Sequence, residues 1–290
     1  MKIYYNVPLA PYTTIGIGGA ARLFISAESE QDILNVAGAY ETKKTPLYVL
    51  GGGSNLLVSD KGIDGTVLHI GRGFDKIEVC GDTIKAEAGA RLSRLSAAAQ
   101  RAELSGLEFA AHIPGTLGGA VFMNAGAYGA DISCVTETVS AVSREGGADG
   151  LYVKSYNKTE CGFTYRSSVF QASGAVITGA VLRLKKGRAE DIKKLTDEYL
   201  LRRKTTQPQG VKSAGSVFKA VNGVPAAKYI DALSLKGYCV GGAAVSEKHA
   251  NFIVNTGGAA CADVQKLINV IKEKVWLAYG VRLDTEIKII

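Results

Sequence analysis

The stretch LGGGSNLLVSD, residues Leu50–Asp60, places three consecutive glycines directly after PLYVL, an apolar run typical of a buried strand. Glycine costs about 0.5–1 kcal/mol relative to alanine inside regular structure, so three in a row predict a loop. In a loop, glycine lets the backbone turn freely and approach another group without an intervening side chain. The nature of that group is the question on which the function depends.

A second glycine-rich segment, HIPGTLGGAVFMNAGAYGAD, occupies His112–Asp131. Successive backbone N–H groups in such loops, or at a helix start, form concave sites for phosphate oxygens. The side chains of Ser54, Asn55, Thr116 and Asn124 could add hydrogen bonds. Two such loops could clamp an extended dinucleotide from both sides. The alternative that the residues leave open is a pair of tight turns in a β-rich fold.

Two familiar nucleotide-binding patterns do not fit the first loop. A P-loop requires Gly-Lys followed by Ser or Thr, whereas Ser54-Asn55-Leu56 follow the glycines here. Gly16-x-Gly18-x-x-Ala21 has the spacing of a Rossmann fingerprint, but no apolar strand precedes it. The residues after it indicate a strand instead of the required helix, so we interpret this match as chance.

Composition narrows the class of protein. The chain has 290 residues, of which 47% are hydrophobic and 21% charged, as in a folded protein of two or three domains. The formal charge of +7 would suit nucleic acid, a membrane surface or anionic small molecules. The densest basic stretch, Arg183–Thr206, includes acidic residues and indicates a solvated helix face. An anionic cofactor and an anionic small-molecule substrate would use the surplus charge equally well, and we expect no nucleic acid, membrane or obligatory protein partner.

The cysteines indicate a reducing compartment. They are odd in number and form no CxxC pair, which favours reduced thiols over disulfides or zinc. No His/Cys/Asp/Glu cluster has metal-ligand spacing, so no catalytic metal is expected. The N-terminus lacks an export-like apolar core, and no apolar run reaches about 18 residues, so a cytoplasmic location is predicted. The cysteines are Cys80, Cys134, Cys161, Cys239 and Cys261.

The order of predicted elements indicates an α+β protein. The predicted helices are Ser29–Lys43, Leu92–Glu103, Ala189–Arg203, Val224–Leu233 and a last helix with an inward stripe of Val264, Leu267, Ile268, Ile271, Val275 and Ala278. The predicted strands include Arg22–Ser26, PLYVL, Thr66–Ile70, a hairpin around Gly81-Asp82, NFIVN and the closing VRLDTEIKII. A boundary is predicted near Gly187.

Several motifs follow one another in a family-like order. After the two glycine-rich segments come YRSSVF (Tyr165–Phe170), RRKTTQP, SAGSVFK (Ser213–Lys219), GGAAVSEKHANFIVN (Gly241–Asn255) and LDTEIKII. One GGG would be weak evidence, but this ordered set covers essentially the whole chain. It resembles the UDP-N-acetylenolpyruvoylglucosamine reductases, the MurB reductases of bacterial cell-wall synthesis, in the shorter type that lacks an inserted tyrosine-bearing loop.

The resemblance implies a fold and a reaction. It implies an FAD-binding fold of the vanillyl-alcohol-oxidase/MurB type, divided between residues 1–70 and 71–187, and a C-terminal α+β substrate domain at residues 188–290. It also implies non-covalent FAD, with NADPH as co-substrate, and reduction of the enolpyruvyl group of UDP-N-acetylglucosamine enolpyruvate to UDP-N-acetylmuramate. The glycines would then let the backbone approach the FAD pyrophosphate.

Site residues are implied by the matching positions. Ser216 would protonate the substrate, Arg166 would stabilise the developing enolate, and Glu286 would be a partner for Arg166 and for the intermediate. The substrate-binding residues would be Lys219, His249 and Asn251. The cofactor-binding residues would be Leu50, Gly51, Gly52, Gly53, Ser54, Asn55, Leu56, Ile113, Pro114, Gly115, Thr116, Gly118, Gly119, Ala120, Asn124, Gly126, Ala127 and Arg203.

This chain departs from the family pattern at two positions, which concern the substrate pocket more than the fold. Ala220-Val221 stands where many relatives have Asn-Pro or Arg-Pro, and Gly16 stands where a basic residue is frequent. One alternative is another flavin oxidoreductase of the alcohol-oxidase type, which would often tether FAD through a histidine or cysteine. His69 and His112 offer no clear tether. A second alternative is a non-catalytic flavin- or nucleotide-sugar-binding regulator, which would not need Arg166, Ser216 and Glu286.

Overall fold

The computed structural model describes residues 1–43, 46–143 and 150–290, without the side chains of residues 40–43. Its α-helices are α1 (Glu30–Lys43), α2 (Leu92–Arg101), α3 (Leu117–Met123), α4 (Phe170–Ser173), α5 (Ala189–Thr206), α6 (Ala226–Ala232) and α7 (Cys261–Tyr279). Short 3₁₀ helices lie at Ala10–Tyr12, Glu108–Ala110 and Ile132–Cys134.

Strands alternate with these helices along the chain. They are β1 (Lys2–Pro8), β2 (Ala20–Ser26), β3 (Leu47–Leu50), β4 (Leu56–Leu57), β5 (Ile63–His69), β6 (Ile77–Cys80), β7 (Thr83–Glu87), β8 (Leu104–Ser105), β9 (Gly126–Ala127), β10 (Ala130–Asp131), β11 (Thr136–Ser143), β12 (Tyr152–Asn157), β13 (Val176–Arg183), β14 (Lys185–Lys186), β15 (Lys212–Ser216), β16 (Cys239–Val240), β17 (Ala243–Val245), β18 (Phe252–Asn255) and β19 (Lys288–Ile289).

The chain forms two compact units, each with its own hydrophobic core. The first unit comprises Met1–Tyr5, Leu23–Gly52 and Gly65–Arg202, and the second comprises Asn6–Arg22, Gly53–Asp64 and Arg203–Ile290. The division of FAD binding between residues 1–70 and 71–187, with a substrate domain at 188–290, stays a prediction. No helix in the described ranges combines the length and apolar character needed to cross a membrane.

The first unit is organised around a five-stranded antiparallel sheet with the order β12-β11-β13-β7-β6. Its central strand β13 is buried along nearly its whole length because it has a strand on each side and helices against its faces. The predicted hairpin is confirmed, since Cys80 pairs with Thr83 across Gly81-Asp82. Gly81 there adopts φ +65°, a left-handed conformation that glycine accepts readily.

A four-stranded sheet has the order β1-β2-β5-β3, and its β3 and β5 strands run parallel. Strand β2 begins at Ala20, within the Gly16–Ala21 stretch, where a Rossmann fingerprint would require a helix, so the rejection of that fingerprint is confirmed. The predicted strand PLYVL is confirmed as β3, which ends at Leu50. The first glycine-rich loop therefore begins where a sheet strand ends.

The second unit packs α7 on a four-stranded sheet with the order β15-β18-β17-β16. The inward stripe of α7 is confirmed from Val264 to Val275, but Ala278 is exposed, so its predicted burial is wrong. The helix is ending there: Gly280 follows Tyr279 with φ +64°. At the other end Asp60 accepts the N–H groups of Cys261 and Ala262, at 2.7 and 3.1 Å. A carboxylate at this position satisfies orphan helix donors and complements the helix dipole.

The closing stretch VRLDTEIKII is not the continuous strand that its pattern predicts. Only Lys288–Ile289 forms a strand, β19, which pairs in parallel with β4. Further back, Thr285 makes an isolated bridge to Phe218. Leu283 and Ile287 are four residues apart and both buried, as alternation requires, so the burial pattern is that of a strand while the ladder pairing is limited to these short pieces.

Candidate active site

The loop after β3 approaches the second glycine-rich segment within the first unit. A Cβ built on Gly51 would lie 2.6 Å from Thr116 Oγ1, and one on Gly52 would lie 2.9 Å from the Gly115 Cα. Both positions therefore require glycine for close approach. In the described part of the chain, the Gly51 and Gly52 N–H groups donate no hydrogen bond. Two such donors beside Thr116 fit the oxygens of a pyrophosphate.

The third glycine, Gly53, belongs to the second unit and is required for a different reason. Gly53 has φ +60°, and a Cβ there would lie 1.9 Å from the carbonyl oxygen of Tyr12. Its own carbonyl accepts the Thr14 N–H at 3.1 Å. Gly53 is thus dictated by backbone packing in the protein itself. The three adjacent glycines therefore do not share one structural reason.

The second glycine-rich segment forms a helix start and a tight reversal. Gly118, Gly119 and Ala120 belong to α3, whose preceding residue Thr116 is buried. The Leu117 and Gly118 N–H groups donate to the carbonyls of Ala90 and Ala88 at 2.8 Å each, which fixes the start of the helix against the residues that follow β7. Gly126 and Ala127 form β9, where a Cβ on Gly126 would lie 2.5 Å from the Ala130 carbonyl oxygen.

Asn124 ends α3 and connects the segment to the loop before Arg166. It adopts φ +43°, is almost fully buried, and donates from Nδ2 to the Thr164 carbonyl at 3.0 Å and to Asp131 Oδ2 at 3.2 Å. Its Oδ1 accepts the Ser133 N–H at 3.1 Å. The predicted contact of Asn124 with the cofactor stays a prediction, and its amide is already engaged by the protein.

Arg166 stands in an unusual backbone conformation beside the second segment. It has φ +55°, and such a conformation in a non-glycine residue is enriched at functional sites. Its Nη2 donates to the Gly126 carbonyl at 2.9 Å, and its guanidinium lies 5.1 Å from the Tyr165 ring centre. Gln171 donates to the Arg166 carbonyl at 3.0 Å. The guanidinium is thereby held at the edge of the predicted cofactor loop.

Ser216 and Glu286 are brought together within the second unit. The Glu286 N–H donates to the carbonyl of Val217, the neighbour of Ser216, at 2.7 Å, and the Lys219 N–H donates to the Asp284 carbonyl at 2.9 Å. These bonds pair the segment after Ser216 with the C-terminal segment. Ser216 and Glu286 are both half-buried, so both side chains retain access to solvent or ligand.

Lys288 is a candidate that the sequence reasoning missed. Burial, together with the positive charge of Lys219, lowers the pKa of Lys288. Two lysine side chains that repel each other create a local positive potential suited to a phosphate or carboxylate. Lys288 stands two residues after Glu286, and residues two apart in extended chain share a face. This spacing from Glu286 is the feature of the sequence that could have identified Lys288.

The remaining predicted residues lie on α5 and on the loop before β18. Arg203 is in the last turn of α5, where its carbonyl accepts the Gln207 N–H at 2.9 Å. His249 is half-buried, and desolvation lowers its pKa. Asn251 is buried, and both polar atoms of its amide contact the backbone of Phe218. The ligand-binding roles of these residues stay predictions. No group of three or more His, Cys, Asp or Glu within the described ranges could hold a metal ion.

Two family models match the chain, in the order of its parts. The model of an FAD binding domain matches residues 21–147, and the model of the C-terminal domain of UDP-N-acetylenolpyruvoylglucosamine reductase matches residues 207–290. A UDP-N-acetylenolpyruvoylglucosamine reductase from Syntrophomonas wolfei is 42% identical over 289 residues, covering 100% of this chain and 95% of the relative.

Solved structures agree with the family models. The crystal structure of the Thermus caldophilus UDP-N-acetylenolpyruvylglucosamine reductase has a TM-score of 0.83 at 35% identity, covering 99% of this chain and 98% of that one. A Brevibacterium sterolicum cholesterol oxidase has a TM-score of 0.50 at 13% identity and covers 64% of this chain, which shows a shared fold alone. The predicted fold class, an α+β protein with an oxidase-like FAD-binding fold and a reductase C-terminal domain, is confirmed. Because the likeness extends over its whole length, the chain belongs to the UDP-N-acetylenolpyruvoylglucosamine reductase family and is an oxidoreductase with an FAD-binding domain.

Proposed function

We propose that this protein reduces the enolpyruvyl group of UDP-N-acetylglucosamine enolpyruvate to UDP-N-acetylmuramate, a step of peptidoglycan precursor synthesis, with NADPH as the reductant. The observation that carries the proposal is the pairing of the Ser216 and Glu286 segments through the Val217–Glu286 hydrogen bond, in a chain of this family. Non-covalently bound FAD would supply hydride transfer from NADPH to the substrate double bond.

The FAD-binding role of the two glycine-rich segments is supported by their contact geometry. Gly51 and Gly52 have no room for side chains beside Thr116 and Gly115, and their N–H groups point to no protein acceptor in the described part. In the proposal these donors hold pyrophosphate oxygens, as backbone groups in glycine-rich loops commonly do. The remaining predicted cofactor-binding residues belong to the same segments, apart from Arg203.

Ser216 is proposed as the proton donor. Addition of hydride at the carbon beta to the carboxylate drives electron density toward the alpha carbon and the carboxylate. The alpha carbon then needs a proton, which the Ser216 Oγ would deliver. A positioned side-chain donor contributes about 10²–10⁴-fold to such a step.

Arg166 and Glu286 are proposed to manage the developing charge. The Arg166 guanidinium can donate two parallel hydrogen bonds to the substrate carboxylate and offset the enolate charge. Its backbone conformation and its bond to Gly126 support a fixed, preorganised orientation. Loss of one such electrostatic donor commonly costs about 10²–10³ in rate. Glu286 would act on the charge of the intermediate.

Anionic parts of the substrate are proposed to bind near Lys219. The charge of Lys219 acts on Lys288, so a diphosphate or carboxylate there would relieve repulsion between the two ammonium groups. His249 and Asn251 were the other predicted substrate ligands. We expect Lys219→Ala to raise the KM for the nucleotide sugar more than it lowers kcat, because binding of a remote anion is common to ground and transition states.

Anaerobic stopped-flow absorbance tests the proposal. The purified protein is reduced with NADPH and mixed with UDP-N-acetylglucosamine enolpyruvate, and the return of oxidised flavin absorbance is recorded. In Ser216→Ala we expect this rate to fall by about two or more orders of magnitude while reduction by NADPH survives. Ser213→Ala, three residues earlier in β15, is the matched control and should keep both rates.

The contrary outcomes are specific. Reduced flavin that is not reoxidised by the enolpyruvyl sugar would refute the reaction and favour the alcohol-oxidase alternative. Acid precipitation that leaves yellow colour on the protein would indicate covalent flavin and oppose the non-covalent binding proposed here. Normal reoxidation in Ser216→Ala would keep the reaction and remove Ser216 as the proton donor.

A further inference from the structure

The strand that presents Ser216 is irregular just before that residue. Strand β15 pairs with β18 through Lys212–Asn255 and Ser213–Val254, and then through Ser216–Phe252, which leaves one extra residue on β15. Gly215 in this interval adopts φ +82°. An extra residue of this kind bends a strand and re-aims the next side chains. Ser216 therefore stands at the exit of a bulge, where a regular ladder does not hold the chain.

Asn251 replaces the missing ladder partner immediately after Ser216. Its Oδ1 accepts the Phe218 N–H at 3.0 Å and its Nδ2 donates to the Phe218 carbonyl at 2.9 Å. Its backbone carbonyl accepts the Val217 N–H at 2.8 Å. The side-chain amide exchanges two hydrogen bonds with Phe218, as an opposed strand residue would. Three hydrogen bonds from one residue fix the two residues that follow Ser216.

The surroundings of Asn251 favour this internal role over contact with a ligand. The residue is 7% exposed, and Val217 and Phe218 are each 2% exposed. The Asn251 N–H in turn donates to His249 Nδ1 at 3.2 Å, which holds the peptide unit from its other side. The amide therefore has one donor and one acceptor committed to Phe218 and little surface left for a substrate atom.

We propose that Asn251 is a positioning residue that orients Ser216 for proton delivery by clamping the backbone of Val217 and Phe218. The catalytic part of this statement rests on the proposed function, in which Ser216 is the proton donor. A displacement of about 1 Å in a reacting group can cost on the order of 10²-fold in rate, so a small release of the clamp would be felt in the chemical step.

The test compares Asn251→Asp with wild type. The aspartate keeps an acceptor for the Phe218 N–H but directs an oxygen, in place of a donor, at the Phe218 carbonyl. The matched control is Asn269→Asp, which makes the same chemical change on the exposed face of α7. If Asn251→Asp fails to fold, Asn251→Ser supplies a smaller group that can still accept or donate one hydrogen bond.

Hydrogen exchange and the two half-reactions are then measured. We expect faster exchange in peptides covering residues 213–219 of Asn251→Asp, with exchange elsewhere unchanged. Reoxidation of the flavin by the enolpyruvyl nucleotide sugar should fall about tenfold or more at saturating substrate. Reduction by NADPH and the substrate Kd, followed by flavin absorbance, should stay within about twofold of wild type.

Each other outcome has a separate meaning. Unchanged exchange with a weakened substrate Kd would overturn the proposal and make Asn251 a substrate ligand. Faster exchange with unchanged reoxidation would overturn positioning and leave a purely structural clamp. If wild type itself ignores the nucleotide sugar, the proposed function fails; faster exchange in Asn251→Asp would still establish the clamp, and unchanged exchange would refute it.

Discussion

Asn55 holds Glu286 in place from the end of the first glycine-rich loop. Its side-chain Nδ2 donates to the Glu286 carbonyl at 3.1 Å, and its backbone carbonyl accepts the Lys288 N–H at 2.9 Å. The two bonds bracket the segment from Glu286 to Lys288. A residue predicted to contact the cofactor thus also fixes the backbone of a predicted catalytic residue.

Replacement of Asn55 by alanine should therefore affect both stability and the second half-reaction. Loss of one neutral hydrogen bond is expected to lower the free energy of unfolding by about 1 kcal/mol, measured by urea denaturation. Reoxidation of the flavin by the nucleotide sugar should slow by about tenfold or more as Glu286 loses its support. Asn35→Ala, on the exposed face of α1, is the control for an exposed amide and should leave that rate unchanged. Equal rates in Asn55→Ala and wild type would exclude a role for this contact in catalysis.

Alanine substitutions at Gly53 and Gly81 should distinguish the cost of a strained backbone from the cost of a steric collision. Both have positive φ, +60° and +65°, but a Cβ on Gly53 meets the Tyr12 carbonyl at 1.9 Å whereas one on Gly81 meets nothing within 4 Å. Gly81→Ala should cost about 1–2 kcal/mol from the left-handed backbone alone. Gly53→Ala adds a backbone collision, and we expect about 3 kcal/mol or more, or failure to fold. Similar urea midpoints for the two variants would contradict the close approach of Gly53 to the Tyr12 carbonyl.

Two histidines should make the protein less stable in mild acid. Desolvation lowers the pKa of His69 and of His249 below the ordinary value of 6.5. The unfolded chain binds these protons at a higher pH than the folded protein does. The free energy of unfolding should therefore be fully maintained above about pH 6.5, decrease as the pH falls through that value, and level off below the folded pKa values.

The pH dependence is measured by urea unfolding between about pH 5 and pH 7.5. His249→Gln should show a shallower decrease than wild type because one of the two desolvated imidazoles is gone. His69→Gln should do the same, and the double variant should be shallower than either. An unchanged slope in His249→Gln would show that its folded and unfolded pKa values coincide.

The thiols should divide into two reactivity classes. Cys80, Cys134 and Cys239 are exposed, while Cys161 and Cys261 are buried. Desolvation raises the pKa of Cys161 to about 11 and also raises that of Cys261. Because the thiolate is the reactive form, a disulfide reagent such as DTNB at about pH 8 should modify three thiols quickly in the folded protein and all five after denaturation. Rapid modification of five in the folded state would contradict the burial of these two side chains.

Much of the architecture was accessible from local pattern. The apolar stripe of α7 from Val264 to Val275 and the hairpin at Gly81-Asp82 were predicted from periodicity and turn chemistry, and both are confirmed. Their formation depends mainly on short-range order and on one face being apolar. The predicted strand at residues 281–290 was wrong in most of its length, because its residues bond to the segment after Ser216 and to β4 in separate short pieces.

The family could be identified from the sequence alone, because the residue types and the order of motifs such as LGGGSN, YRSS and SAGS do not depend on how the chain packs. The atoms that each of these residues contacts could not be predicted from the sequence. Three adjacent glycines look equivalent in sequence, yet Gly51 faces Thr116 and Gly53 faces Tyr12. The role of Asn251 as a substrate ligand stays a prediction, and no sequence pattern indicated that its amide bonds to Phe218, 33 residues away in sequence. Hydrogen-bond partners distant in the chain are set by how strands and loops pack, and that is decided only by the tertiary structure.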